Sequence, residues 1–297
     1  MSVTLTLISA PAKPAVSVEL VADVRSRLKL DTDIVWLMEG VACDFVFSDA
    51  IDEDAIRQDI APALESRAVD VVLQPSEGRR KQLLMADMDS TMIQQECIDE
   101  LADEVGLKGR VSDITARAMR GEIDFEPALK ERVGLLRGLD LSIVDKLFAE
   151  RITFTPGGKA LVQTMKANGA YCALVSGGFT HFTARVRADL GFDEDRANLL
   201  IEENGKLTGE VGLPILGKDA KRSRLHELVK ELKLDFSQTI AVGDGANDLA
   251  MIMDAGAGVA LHAKPAVAAQ AQHVINHGDL TALLFLQGYK AEDFILG

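Results

Sequence analysis

Cysteine is scarce in this chain. Its three residues, Cys43, Cys97 and Cys172, are odd in number and lack framework spacing. That excludes a disulfide-stapled scaffold and suits free thiols in a reducing cytoplasm. Positive charge is also in short supply: 32 lysines and arginines stand against 46 acidic residues, for a net charge of −14. A surface of that sign cannot blanket the phosphates of nucleic acid, and anionic lipid repels it. Neither nucleic acid nor a membrane is therefore expected as a partner, although a small anion in one locally positive pocket stays compatible. No apolar run approaches the roughly 18 residues that cross a bilayer. Met1–Ser9 has no basic leader, so Val3–Ile8 reads as a strand rather than a secretion signal, and a cytoplasmic location is expected. His273 and His277 have a spacing that some zinc sites use, but no cysteine pair or acidic partner is near, and they read as a solvated helix end or loop. A Walker sequence is missing, since Gly217-Lys218 lacks both the spacing and the following Ser or Thr; so is a Gly-x-Ser-x-Gly elbow.

What is present is ample material for a core: 297 residues, 47% of them hydrophobic. Residues 1–80 alternate as strand Val3–Ile8, helix Val16–Leu28, strands Asp33–Leu37 and Ala42–Phe47, helix Glu53–Glu65 and strand Val69–Leu73. This order predicts a small α+β sheet with helices on one face. It holds no catalytic cluster and reads as a folding or dimerisation module, which leaves a homodimer open. Pro75–Arg80 reads as the connection.

From Gln82–Ala86 onward strands alternate with helices, which predicts parallel pairing in a doubly wound α/β sheet. A long, mostly helical stretch from Met92 to about Arg151 interrupts the alternation after the first strand. Further on come helix Lys159–Ala167, strand Tyr171–Val175 and helix Phe179–Leu190. A hairpin follows at Leu199–Glu203 and Lys206–Val211 around Asn204-Gly205. Helix Lys221–Leu232, strand Gln238–Val242, helix Asp248–Asp254 and the short strands Gly258–Leu261 and His273–Ile275 complete it. In such sheets ligands collect at the carboxyl ends of strands. Three polar clusters fall there: Asp87–Thr91, Ser176-Gly177-Gly178, and Gly243 to Asp248.

Asp87 and Asp89 are two apart on a strand-to-loop transition. A carboxylate is ionised at neutral pH, so it can attack without a base, and it can also ligate a hard cation. Asp244 and Asp248 bring more negative charge to the same end of the sheet. Mg²⁺ would neutralise that oxygen-only set better than zinc. Either pair alone reads equally well as turn formers or helix caps. Ser176 and the glycines after it offer a hydroxyl and N–H groups to an oxyanion, or simply a helix cap. Lys221 opens a predicted helix, where the dipole disfavours a cation unless an anion offsets it; a surface lysine is the plainer account.

On these residues the chain resembles the haloacid dehalogenase superfamily. Asp87-Met88-Asp89-Ser90-Thr91 matches its Asp-x-Asp-x-Thr signature, Ser176 the strand-end Ser or Thr, Lys221 the lysine, and Gly243-Asp244-Gly245-Ala246-Asn247-Asp248 its Gly-Asp-Gly-x-Asn-Asp. Within it, Glu96, Ala118-Met119-Arg120-Gly121, Asp124-Phe125 and Arg132-Val133-Gly134-Leu135-Leu136 resemble the helical cap of the phosphoserine phosphatase family. On their own, Glu96 and Arg132 read as a solvated helix surface. The resemblance covers about residues 81–290.

It implies a Rossmann-like core over 81–297, with a helical-bundle cap inserted at about 93–153 and a small β-hairpin at about 198–213. Residues 1–80 look like the ACT-type domain that accompanies many bacterial members. The implied activity is Mg²⁺-dependent hydrolysis of the phosphomonoester O-phospho-L-serine, the last step of serine biosynthesis, through an aspartyl phosphate. Asp87 would be the nucleophile and Asp89 the acid and base. Asp87, Asp89 (by its backbone carbonyl) and Asp244 would hold the metal. Ser176, Gly177, Lys221 and Asn247 would bind phosphate, with Asp248 and Gly178 in support. Glu96 would take the substrate ammonium and Arg132 its carboxylate, under the apolar cover of Met119 and Phe125. The core motifs alone also accommodate a phosphatase for phosphohomoserine, a sugar phosphate or a nucleotide, and a phosphotransferase. A non-catalytic amino-acid sensor is a third, weaker alternative.

Overall fold

The computed structural model describes residues 2–28, 34–47, 51–119 and 122–296, with the backbone alone at 119 and 218. Asp33 of the expected second strand, and Arg120-Gly121 of the cap motif, lie outside the described residues.

The N-terminal unit runs β1 (Val3–Ile8), α1 (Val18–Leu28), β2 (Ile34–Met38), β3 (Ala42–Phe47), α2 (Glu53–Leu64) and β4 (Asp70–Pro75). Its four strands form an antiparallel sheet in the order β2-β3-β1-β4, the split β-α-β arrangement. Successive side chains on a strand face opposite ways. Leu5, Leu7 and Phe45 accordingly pack against Leu20, Val24, Ile56 and Ile60 of the two helices. Ile8, Ala42 and Val72 point the other way and join the core of the larger unit.

The larger unit is built on β5 (Leu83–Ala86), followed by four helices, α3 (Cys97–Glu104), α4 (Lys108–Met119), α5 (Phe125–Gly134) and α6 (Ile143–Glu150). The chain then returns through α7 (Gly158–Ala167), β6 (Tyr171–Phe179), α8 (Thr180–Leu190) and β7 (Glu194–Asn198). The hairpin β8 (Leu200–Glu203) and β9 (Lys206–Val211) follows, then α9 (Lys218–Glu231), β10 (Thr239–Gly243) and α10 (Leu249–Asp254). The end is β11 (Ala257–Leu261), α11 (Pro265–Ala268), β12 (His273–Ile275) and α12 (Ala282–Leu286). Six parallel strands stand in the order β12-β11-β10-β5-β6-β7. Leu83, Met85 and Ala241 face Leu225, Leu228 and Ile252 of α9 and α10. Leu84, Ala86 and Val242 face Leu161, Phe182 and Leu284 of α7, α8 and α12. This is the doubly wound α/β sheet the alternation predicts, and β5 and β10 are buried on both faces.

The connection between the units is pinned rather than slack. Arg79 reaches back to Asp44 (2.6 Å), which also accepts from Thr6 (2.6 Å), and forward to the carbonyls of Phe285 and Leu286 (both 3.0 Å). The Asp70 carboxylate accepts backbone N–H groups from Asn276, His277 and Gly278 at 2.7 to 3.2 Å.

Several local expectations are corrected. The strand expected to stop at Val175 continues through Ser176-Gly177-Gly178 to Phe179, and its helix starts at Thr180. The helix carrying Lys221 starts one turn earlier, at Lys218, because Gly217 takes the N-cap position. Strand β7, Glu-Asp-Arg-Ala-Asn, has no apolar alternation to announce it; it is an edge strand held by Thr183–Asp195 (2.6 Å) and Arg224–Glu194 (2.6 Å) pairs. His273 is buried within β12 instead of solvated.

Burial, reinforced by the positive charges of Lys81 and Arg57, lowers the His273 pKa to about 4. Between that value and the ordinary 6.5, the unfolded chain binds a proton that the folded chain refuses, so stability falls as pH falls through this window. Urea unfolding at pH 7 and pH 4.5 should show the wild type losing about 2–3 kcal/mol more than His273→Gln over that interval; equal losses would refute the assignment.

Candidate active site

β5 gives way to Asp87, whose N–H still bonds Val242 O (3.1 Å) across to β10. The chain then closes a single wide turn, Met88–Met92, in which Ser90 takes a positive φ of 56°. That turn aims the two aspartates apart. Asp87 Oδ1 accepts from Met88 N (2.7 Å) and from Lys221 Nζ (2.6 Å). Asp89 Oδ1 accepts from Cys97 N (3.0 Å) at the start of α3, and its Oδ2 takes a long contact from Ser176 Oγ (3.4 Å).

Lys221 sits in the first turn of α9, where the helix dipole opposes a cation. Asp87 and Asp248 offset that: Lys221 Nζ lies 2.6 Å from one and 2.5 Å from the other. Lys221 is 2% exposed and Asp248 fully buried. Burial works to lower the lysine pKa, but the two carboxylates overcome it and hold the ammonium charged. Asp248 also accepts from Gly245 N (3.0 Å), closing the Gly243-to-Asp248 loop on itself. A Cβ on Gly243 would stand 2.4 Å from Asp248 Cγ, so only glycine admits this approach.

Asp244, half-buried at the next strand end, accepts weakly from Thr91 Oγ1 (3.4 Å). Carboxylate oxygens of Asp87, Asp244 and Asp248 all lie within 4.8 Å of one another. Asp87 and Asp248 therefore share Lys221 while Asp244 stands beside them, and the surplus negative charge shows in the titration of Asp87 and Asp244. Burial and Asp248 push Asp87 well above the ordinary range against the pull of Lys221; burial and Asp248 raise Asp244 as well. An added cation would relieve that surplus, and an all-oxygen donor set fits a hard divalent ion. Asp89 lies outside this trio: its carboxylate is turned to Cys97 and Ser176, which leaves only its backbone carbonyl for a metal. Burial raises its pKa despite the Cys97 donors, which favours the protonated form a general acid needs.

Ser176 and the two glycines lie beside Asp89. Ser176 Oγ accepts from Gly178 N (2.9 Å), and a Cβ on Gly178 would come within 2.6 Å of Asp89 Oδ2. Asn247 stands half-buried on the adjacent loop, its Oδ1 against Gly245. From the helical insert, Glu96 accepts from Ser90 Oγ (2.7 Å). Water reaches its side chain, yet the crowding of the cleft walls and the charge of Asp89 push its pKa up to about 7. Arg132 is half-buried, bonded to Thr115 Oγ1 and Ala128 O (both 3.3 Å). Burial lowers its pKa while Asp99 and Glu96 pull it upward, so Glu96 and Arg132 share one electrostatic neighbourhood. The Phe125 ring, 38% exposed, hangs over Gly177 and Gly217, within 3.8 and 3.6 Å of where a Cβ on each would stand. The backbone of Met119 ends α4, and its side chain lies outside the described residues.

The core residues singled out from sequence thus converge at the carboxyl ends of β5, β6 and β10, with Glu96 and Phe125 above them. Sequence reasoning passed over the Cys97 N–H and Thr91 as partners of the carboxylates. The first leaves no local signal, because α3 opens at Glu96 without a side-chain cap of its own and Asp89 reaches Cys97 N from eight residues upstream.

The haloacid dehalogenase-like hydrolase profile matches residues 84–253. A phosphoserine phosphatase of Polaromonas sp. is 47% identical over 209 residues, 69% of this chain and 89% of that protein. One from Streptomyces coelicolor is 39% identical over 254 residues, 85% of this chain but 62% of its own length. The crystal structure of a probable phosphoserine phosphatase from Vibrio cholerae superposes with a TM-score of 0.78 at 29% identity, covering 97% of this chain and 86% of that one.

Lys221→Met keeps the volume and removes the cation that lies between two buried carboxylates. Urea unfolding should show a loss of about 3–5 kcal/mol at pH 7. The loss should shrink toward pH 5, because a carboxyl whose folded pKa is raised gains stability as it is protonated; a pH-independent loss would contradict the charge argument.

Proposed function

The chain belongs to the haloacid dehalogenase-like hydrolase family, and on that premise we propose that it hydrolyses O-phospho-L-serine to L-serine and phosphate through a phosphoryl group carried on Asp87. What supports this reading is Glu96, held by Ser90 in the turn that carries Asp89, with the Arg132 guanidinium near enough to feel its charge. An amino acid presents one ammonium and one carboxylate, and an acid with a guanidinium at one mouth reads both. A nucleotide or sugar phosphate supplies no such pair.

In the first half-reaction an Asp87 oxygen forms a bond to phosphorus as the bond from phosphorus to the seryl oxygen breaks. Asp89, held toward its protonated form, gives its proton to the departing oxygen. In the second half, the Asp89 carboxylate takes a proton from water. The water oxygen attacks phosphorus and the Asp87–phosphorus bond breaks, which releases phosphate and restores both acids. Ser176 Oγ, the Gly177 N–H and Lys221 Nζ stabilise the phosphoryl oxygens, with Asn247 positioning the group. Asp248 orients Lys221 through their 2.5 Å contact. The Asp87 and Asp244 carboxylates and the Asp89 carbonyl would hold Mg²⁺, which when bound offsets charge on the phosphoryl oxygens. Phe125 covers the strand-end glycines and limits the entry of bulk water, and Met119 is proposed as further apolar cover.

Asp87→Asn should keep its fold by circular dichroism and form no acid-labile phosphoenzyme from labelled phosphoserine. Normal formation of that intermediate would exclude Asp87 as the nucleophile. Arg132→Ala should raise KM for phosphoserine roughly 30-fold, the loss of about 2 kcal/mol of charge-assisted bonding. It should leave p-nitrophenyl phosphate nearly unaffected. Equal losses on both substrates would point to another phosphomonoester.

A further inference from the structure

We propose that Asn198 is a positioning residue for phosphoryl transfer: its buried side-chain amide locks together the backbone segments that carry Ser176–Gly178 and Lys221. Strands β6 and β7 pair from Ala173↔Glu194 to Val175↔Arg196 and again at Phe179↔Asn198. Four steps along β6 are thus matched by two along β7, and Ser176-Gly177-Gly178 bulges from the ladder beside Asp89. A bulge leaves main-chain groups without strand partners. Asn198 supplies one, its Nδ2 donating to Gly177 O at 2.9 Å. The N–H of the same peptide unit, that of Gly178, is held by Ser176 Oγ at 2.9 Å. A peptide pinned at both its oxygen and its hydrogen cannot swivel, and this fixes the direction of the neighbouring Gly177 N–H and of the Ser176 hydroxyl.

The same amide holds the second segment. Its Nδ2 also donates to Leu216 O (3.3 Å), and its Oδ1 accepts from Leu216 N (2.7 Å). Leu216 directly precedes Gly217, the N-cap of α9, whose first turn delivers Lys221. Gly177 and Gly217 are also the two places on which Phe125 descends. One side chain, 1% exposed, therefore sets the spacing of two phosphate-facing segments and of the floor beneath the aromatic cover. Asparagine suits the post because it offers two donors and an acceptor on a short planar fork; an aspartate would turn oxygen toward two carbonyl oxygens.

This inference rests on the phosphoryl-transfer reading above. Its test uses the full-length chain with Mg²⁺, comparing wild type with Asn198→Ala and Asn198→Ser, whose hydroxyl can serve one carbonyl. The measurements are kcat and KM on phosphoserine and on p-nitrophenyl phosphate, inhibition by orthovanadate, and melting temperature. For Asn198→Ala, kcat should fall roughly 10- to 100-fold on both substrates and vanadate should bind correspondingly more weakly, while KM for phosphoserine stays within about threefold. Asn198→Ser should fall between. A merely structural role would lower the melting temperature and the yield of folded enzyme but leave kcat per folded molecule and vanadate binding at wild-type values. That result, or the failure of both variants to fold, overturns the proposal. If the wild type cleaves the aryl ester and ignores phosphoserine, the substrate assignment fails, and the aryl-ester comparison still decides the role of Asn198.

Discussion

Lys221 lies between Asp87 and Asp248 where water scarcely reaches, and at the low effective dielectric of such a place the attraction between opposite charges is strong. Without the ammonium, like charges at two strand ends would force those ends apart or keep the acids protonated. With it, the loop from Gly243 to Asp248 can fold tightly enough that a Cβ would have no room at its first residue. The compensation is incomplete: three acids crowd around Lys221, and the raised titration of Asp87 and Asp244 expresses the shortfall. A site that is stable yet still short of positive charge is suited to receive a divalent ion, and the ion would complete what the lysine begins.

The division of labour between the two aspartates of the first motif follows from the wide turn that separates them. Asp87 faces the cationic side, where ionisation is favoured once charge is balanced. Asp89 faces a helix start and a serine, and burial raises its pKa toward the protonated form a general acid needs. Two identical side chains two residues apart thereby acquire different partners, a buried lysine for one and a helix N–H for the other. In the proposed reaction the helical insert would add discrimination through Glu96 and Arg132, groups that the catalytic steps do not need.

Much of this was legible in the sequence, because fully buried strands such as Leu83–Ala86 and Thr239–Gly243 stand out as short apolar runs ending abruptly in Asp or Gly. The motifs at those ends single out Asp87, Asp89, Asp244 and Asp248, whereas Lys221 reads as a surface lysine until the family resemblance marks it. What stayed hidden depended on tertiary context. Strand β7 is polar and short, so nothing in its composition distinguishes it from a loop, and Asn198 is invisible without the register of its neighbour. His273 looked solvated because a histidine near a chain's polar stretch usually is; only the packing of an edge strand buries it. Helix α12 was overlooked because all five of its residues are buried, which leaves no amphipathic period to detect.

The pinning of the N-terminal unit has a bearing on how the molecule is made. Its sheet draws its own hydrogen bonds from strands within residues 3–75 alone. The partners that fasten it down, the N–H groups of 276–278 and the carbonyls of 285 and 286, are synthesised some two hundred residues later. Until then Asp70 and Arg79 hold charged groups toward a surface that does not yet exist. The nascent polypeptide must therefore carry this module undocked while the intervening residues are made, and its docking waits for residues 276–286.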